Sequence, residues 1–392
     1  MNGAVVNITI KNNTIIDFEN KSERIYACVK KCLVEEEIES LNVICDDVGY
    51  KTPNFTTSGI YCLHGIVRLQ NSEDKPWSVI VKVIKPDSVE KNYAEHHNYW
   101  RREALVFNSG ILNELPDFIK VARCFLVEEL PDETIWIWME HIEGEYAGTV
   151  EQFSFIARQL GRFNGAYITG DKALPRYDWL CKSWLKSWTT ASRKYAPSVD
   201  TYVERLSNDD LRTIWAWYEN LIRKLDIAIE SLQRLPRVLA HQDLSQMNML
   251  LVTSDNSTPQ LLLIDWQFLS ISGIGEDLGK MFGVNMSLGI IQPDHYDEFQ
   301  TSLYNSYLEG LRTAGWQGDE KLVRYGFCLS MALRSVWEVP KYFSMLAQLE
   351  TEPQNQNLKD RLYRLERIIS IQKDMHTEVE LMMPKLGFCT VH

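Results

Sequence analysis

The segment His241-Gln242-Asp243-Leu244-Ser245-Gln246-Met247-Asn248 sets an aspartate ahead of an asparagine, and Leu261-Leu262-Leu263-Ile264-Asp265-Trp266 closes an apolar run with a second aspartate. Three oxygen-bearing side chains on two consecutive loops suit phosphoryl transfer, because a kinase-like site needs one base and two magnesium ligands in this arrangement. Asp243 would take the proton of an acceptor hydroxyl, and Asn248 with Asp265 would hold the metal. Alone, the H-x-D-x-x-x-x-N string also fits a loop aspartate that caps a turn. Asp265 adds weight: a carboxylate at the mouth of a buried strand is costly without a cation, and Mg2+ favours one or two carboxylates plus phosphate oxygens.

The first half of the chain offers the complementary cation. In Val79-Ile80-Val81-Lys82-Val83-Ile84 the lysine sits in a strand apolar on both faces, where it needs a partner. Lys85, beside Pro86, reads as a solvated strand end. Glu103 shares a helical face with Trp100, Val106 and Phe107 and is the candidate partner. A stabilising ion pair and a phosphate-binding lysine with its orienting carboxylate both satisfy this pattern. Before the second strand, Thr56-Thr57-Ser58-Gly59 offers hydroxyls, N–H groups and a glycine, so Thr57, Ser58 and Gly59 are candidate phosphate contacts. An ordinary hairpin turn fits the same string, which falls short of G-x-G-x-x-G, and no Walker A string occurs.

Two kinds of structure must position these residues. Ser22 to Ser40 reads as an amphipathic helix with an acidic end. Val43 to Cys45, Tyr61 to Leu69 and Trp77 to Ile84 read as an antiparallel meander, followed by a helix from Asn98 to Leu112 and strands at Cys124 to Glu128 and Thr134 to Met139. After Gly148, three-and-four spacing predicts helices over Gln152 to Ile168, Ala216 to Leu232, Tyr296 to Leu311, Lys321 to Trp337 and Leu358 to Met375. Asn256-Ser257-Thr258-Pro259 reads as a turn. The expected fold class is α+β, with a small antiparallel β-sheet lobe carrying one key helix (residues 1–139), a hinge and linker (140–148) and a larger, mainly helical lobe (149–392). At 392 residues two lobes are the reasonable expectation.

Bulk properties exclude several classes. With 41 Lys+Arg against 53 Asp+Glu, the formal net charge of -12 argues against nucleic-acid binding and tilts toward cationic ligands. Eight scattered cysteines without a C-x-x-C pair read as reduced thiols of a cytoplasmic protein. The N-terminus lacks a basic region followed by an apolar one, and no segment has the apolar length a bilayer requires, so neither secretion nor membrane attachment is expected.

Val79-Ile80-Val81-Lys82, Tyr99-Trp100-Arg101-Arg102-Glu103-Ala104-Leu105, Trp138-Met139-Glu140-His141-Ile142-Glu143-Gly144, Leu160-Gly161-Arg162-Phe163-Asn164-Gly165-Ala166, His241-x-Asp243-x-x-x-x-Asn248 and Ile264-Asp265-Trp266 occur in this order. Together they resemble the aminoglycoside phosphotransferase and choline kinase-like family, from about Val43 to Trp337. The resemblance implies a protein-kinase-like fold using ATP and Mg2+. It implies that the Glu140 carbonyl and the Ile142 N–H hold adenine, that Lys82 binds the α- and β-phosphates while Glu103 holds it, and that His241 and Asp277 brace the catalytic loop. Gln242 in place of arginine, Trp266-Gln267 in place of Phe-Gly and the lack of Ala-Pro-Glu separate the chain from phosphorylation-switched protein kinases.

The acceptor side is less legible. A small molecule is implied: a cationic aminoglycoside or amino alcohol, or a sugar or amino-acid hydroxyl. Trp179, Trp184, Trp188, Trp215 and Trp217 read as helix packing, with one or two, Trp184 first, able to face an acceptor ammonium. The reading from another class is a catalytically inactive nucleotide-binding scaffold. Lys82, Glu103, Asp243, Asn248 and Asp265 count against it, because a scaffold has no chemical need for all five.

Overall fold

The computed structural model describes residues 7–34, 36–49, 56–253 and 259–388; the turn read at Asn256 to Pro259 lies, but for Pro259, outside the described residues. In the first part, β1 (Asn7–Asn12), α1 (Ser22–Cys32), β2 (Ile38–Asp47), β3 (Thr57–Leu69), β4 (Asp74–Ile84), α2 (Arg102–Ser109), β5 (Ile119–Val121), β6 (Cys124–Glu129) and β7 (Ile135–Glu140) follow in order. Six of these strands form one sheet in the order β1-β2-β3-β4-β7-β6. The meander β2-β3-β4 is antiparallel, as are β4-β7 and β7-β6, while β1 adds to the edge parallel to β2.

Period-two alternation on β4 decides what each face meets. Val79, Val81 and Val83 pack with Phe18, Ile25 and Val29 around α1. Ile80 and Ile84 face the other way, toward Trp100 and Ala104 on and before α2. Lys82 belongs to that second face, so helix α2 must supply its partner.

The second part comprises β8 (Glu145–Tyr146), α3 (Val150–Ile168), α4 (Trp184–Tyr195), α5 (Asp200–Val203), α6 (Asp209–Arg223), α7 (Leu225–Gln233), β9 (Arg237–Ala240), β10 (Met249–Thr253), β11 (Pro259–Leu263), β12 (Ser270–Gly273), α8 (Glu276–Leu288), α9 (Tyr296–Thr313), α10 (Glu320–Leu333), α11 (Ser335–Thr351) and α12 (Gln356–Met382). The fold is thus α+β, with an antiparallel-rich N-terminal sheet and a helical C-terminal region. The helices enclose one large core around Phe163, Leu278, Phe282 and Phe327, and a smaller one around Tyr342, Phe343 and Leu358.

Some elements depart from the spacing. The helix expected over Ala216 to Leu232 breaks at Lys224, and that over Lys321 to Trp337 breaks at Arg334. Ile119–Val121, where no strand was expected, pairs with Leu261–Leu263 of β11 in a second sheet ordered β5-β11-β10-β8. Among the described residues no helix is long and apolar enough to cross a membrane, and the seven described cysteines are unpaired.

Short strands grip both candidate loops. β9 ends at Ala240 and β10 begins at Met249, enclosing His241 to Asn248; β11 ends at Leu263, and Ala240 pairs with Ser270 of β12 beyond Asp265. The Ile264 N–H donates to the Asn248 carbonyl at 3.1 Å, which stitches one loop to the other.

Candidate active site

Lys82 Nζ lies 2.6 Å from Glu103 Oε2 and 2.9 Å from Asp265 Oδ1, with the lysine and glutamate side chains buried and that of Asp265 21% exposed. Burial alone would push the Lys82 ammonium toward neutrality, but Asp265 and Glu103 outweigh it and hold the group above its ordinary range. For Glu103, burial raises the carboxyl while Lys82 pulls it back. Two carboxylates share one cation, leaving negative potential on the exposed side, at Asp265. A buried pair is weak grounds for stability; this one joins a strand, a helix and a loop distant in sequence.

The loop around Asp243 is held mainly by backbone contacts. Asp277 accepts the His241 N–H at 2.9 Å and the Gln242 N–H at 2.8 Å, and Gln242 is held at a φ of 63°. His241 Nε2 lies 3.1 Å from the Ile264 carbonyl, and its Nδ1 receives the Asp243 N–H at 3.2 Å. These partners assign a neutral Nε2–H tautomer. Burial pushes its pKa down to about 4, so the ring carries no proton to spare near neutrality and serves as a brace. Asn248 Nδ2 donates to the Asp243 carbonyl at 3.0 Å. Asn285 completes the frame, donating to the Leu244 carbonyl at 2.9 Å and accepting the Gln246 N–H at 2.8 Å.

Within this frame, burial raises the Asp243 carboxyl to about 6, with the nearby Lys280 ammonium opposing it. Such a group is ionised at neutral pH yet more basic than a surface aspartate, which suits a general base. Lys280 is itself pushed down to about 8 by burial, against the pull of Asp243.

The donor set fits magnesium. The contact from Asn248 Nδ2 to Asp243 leaves Asn248 Oδ1 as a ligand, and the Lys82 contact on Asp265 Oδ1 leaves Oδ2. No cluster of three or more His, Cys, Asp or Glu forms a metal cage among the described residues. A site of few protein oxygens completed by phosphates is how Mg2+ is commonly held.

The other candidates fall in different places. Thr57, Ser58 and Gly59 belong to β3, opposite Ile84 and Val83 of β4 with a register shift between them, rather than to a free loop. β-branched and aromatic residues follow at once, so pairing extends to the start of the string. Glu140 ends β7, with its N–H on the Arg123 carbonyl at 2.8 Å and its carboxylate on the Arg123 guanidinium. The Ile142 N–H has no backbone partner among the described residues. Trp184 is 1% exposed, and Lys280 Nζ stands 4.3 Å from its ring centroid. Trp215 packs on Phe343 and Trp217 donates to His376.

The sequence reading passed over Arg102, Lys280 and Asn285. Arg102 is fully buried and uses all five N–H groups on backbone carbonyls: Ala94 at 2.7 Å, His96 and His97 at 2.8 Å, Gln267 at 3.2 Å and Trp179 at 3.3 Å. A guanidinium next to Glu103 in an apolar helix was the available signal. For Lys280, the signal was its place three residues after Asp277 on one helix.

A model of the phosphotransferase enzyme family matches residues 69–319. Among solved structures, the chain is similar to an amicoumacin kinase in complex with AMP-PNP and Ca2+, at 14% identity over 92% of this chain and 96% of that one, with a TM-score of 0.50. It is also similar to a choline kinase from Cryptosporidium parvum (13%, 88% and 91%, 0.47) and to a spectinomycin phosphotransferase (14%, 85% and 93%, 0.44). No curated protein gives a significant sequence match. The family match takes in more than half of the sequence, including Lys82, Glu103, Asp243, Asn248 and Asp265, and the chain belongs to the phosphotransferase enzyme family.

Proposed function

We propose that the enzyme moves the γ-phosphate of ATP to a hydroxyl of a small molecule, with Asp243 as the base. The observation that carries this reading is the triplet of the buried Glu103 and Lys82 with the partly exposed Asp265, which ties the phosphate-binding cation to the carboxylate beside the catalytic loop. AMP-PNP in the related amicoumacin kinase accords with a nucleotide here. Lys82 meets the phosphates, and Glu103 fixes its position. Asp243 orients the acceptor hydroxyl and takes its proton as the oxygen attacks. Mg2+ held by Asn248 and Asp265 would supply charge neutralisation on the phosphates. Positioning and electrostatics carry most of the rate in such transfers.

The same proposal assigns residues 1–139 to a nucleotide-binding lobe, 140–148 to a hinge and 149–392 to a catalytic lobe. Adenine would meet the Glu140 carbonyl and the Ile142 N–H, and Thr57, Ser58 and Gly59 would approach the phosphates from the start of β3. A cytoplasmic location belongs to this reading and is supported by the unpaired cysteines.

The test is a broad panel of hydroxyl compounds with MgATP, read by ADP release and by mass spectrometry of the product. A phosphorylated product that depends on Asp243 supports the proposal; ATP binding with no product across the panel overturns it. Lys82→Met is expected to lower kcat/KM for ATP about 10²-fold, as loss of one charge-stabilising donor does, and a steady-state titration checks it. The pH profile has a fixed sign: the base must be ionised, so kcat/KM falls as pH drops through about 6. Below that point the decline is about tenfold per pH unit, and a profile flat to well below the carboxyl's raised pKa would remove Asp243 as the base.

A further inference from the structure

A groove of about 510 Å³ runs between the C-terminal end of α8 and helices α11 and α12. Its volume is that of a small-molecule site. Arg334, Lys341, Arg361 and Arg364 line it against only two carboxylates, Glu338 and Asp360. In a chain of net charge -12 this is a local reversal of sign. Both acids are already engaged: Glu338 pairs with Arg334 at 2.7 Å and receives Ser287 and Gln372, and Asp360 accepts from Gln356 at 2.8 Å. Lys341, Arg361 and Arg364 form no ion pair among the described residues.

Two of the arginines are built into place. A Cβ on Gly283 would stand 2.4 Å from Arg334 Cδ, and one on Gly289 would stand 2.6 Å from Arg364 Nη1. Bare α-carbons on and just after α8 therefore receive both side chains. Arg334 also lines a second, small cavity with Lys280, Trp184 and Gln242, the residue before Asp243. Arg334 thus borders both the groove and the cavity that holds Lys280 beside the Asp243 loop. The aromatic face an acceptor ammonium would seek is already covered by Lys280.

We propose that this groove binds the acceptor and selects one that carries a carboxylate or phosphate beside its reactive hydroxyl, the anion resting on Arg361, Arg364 and Lys341. Like-charge repulsion from the same cations disfavours amines. The location relative to Asp243 rests on the phosphotransfer reading given above; the preference for an anion rests on the groove.

The experiment uses the full chain with saturating MgATP and scaffold-matched acceptors: gluconate against glucosamine, glycerate against ethanolamine, and glycerol phosphate to separate phosphate from carboxylate. The anionic members are expected to show at least about tenfold higher kcat/KM, and Arg361→Gln with Arg364→Gln to raise their KM about tenfold with little change in kcat. Both side chains are at least partly exposed, so the variant is expected to fold. Preference for the amines with Asp243-dependent turnover overturns the anion proposal and leaves phosphotransfer standing. Where no acceptor in the panel is phosphorylated, calorimetric titration of citrate in the presence of saturating ADP decides. Citrate binding weakened about tenfold or more in the double variant supports the anion site even as the phosphotransfer reading falls; binding unaltered by the two substitutions, or absent from the parent, overturns it.

Discussion

Asp243→Asn is expected to lower kcat by about 10²–10⁴-fold, the usual contribution of a positioned base, while ATP affinity stays within about twofold, a difference of less than 1 kcal/mol. The separation is expected because the loop is held chiefly through its backbone. Asp277 holds it through the His241 and Gln242 N–H groups, and Asn248 donates to the backbone carbonyl of Asp243. The amide keeps the size of the side chain but loses the negative charge and the capacity to take a proton. Single-turnover kinetics with a verified acceptor, together with calorimetric ADP binding, would read both quantities. Near-parental turnover would remove Asp243 from its role, and lost nucleotide binding would place it in the phosphate site instead.

Arg102→Leu is expected to cost about 3–5 kcal/mol of stability, because hydrogen bonds to a charged group are strong and buried carbonyls left without donors are penalised. Burial pushes even this guanidinium down to about 10, with no carboxylate paired to it among the described residues. The five carbonyls it serves come from the segment before α2, from Trp179 and from Gln267 beyond Asp265. Arg102→Lys keeps the charge but offers three donors on a single atom, so it should recover only part of the loss. Urea midpoints compared at equal slope measure it. A loss below about 1 kcal/mol would mean that solvent replaces the guanidinium at these carbonyls.

What was legible in the sequence follows what is costly to bury. Lys82 stood out because an ammonium in a strand apolar on both faces demands a partner, and Glu103 because its helical neighbours are apolar. The direct contact between Lys82 and Asp265 was not legible, since no local pattern reports a meeting between residues so far apart in sequence. Helix α8 stayed hidden because Gly279 and Gly283 depress its propensity, although those same glycines admit neighbouring side chains. Pro340 obscured α11, and β5 is too short to show a period. The charge of the groove was equally hidden: Arg334 with Lys341, and Arg361 with Arg364, look on one helix at a time like ordinary solvated faces. Only the packing of α11 against α12 turns them toward a common space.

The excursion of Ile119–Val121 into the second sheet bears on how firmly the site is held. Helix α2 is bolted through Arg102 to the carbonyl of Gln267, and the chain leaving it is hydrogen-bonded to the strand that delivers Asp265. Glu103 and Asp265 are consequently fixed to one body, and the meander joins that body too, because Gln267 also donates to Thr56 Oγ1 at 2.8 Å just ahead of β3. The two ion pairs of Lys82 thus close a junction whose strand, helix and loop are already cross-braced, in the manner of a keystone.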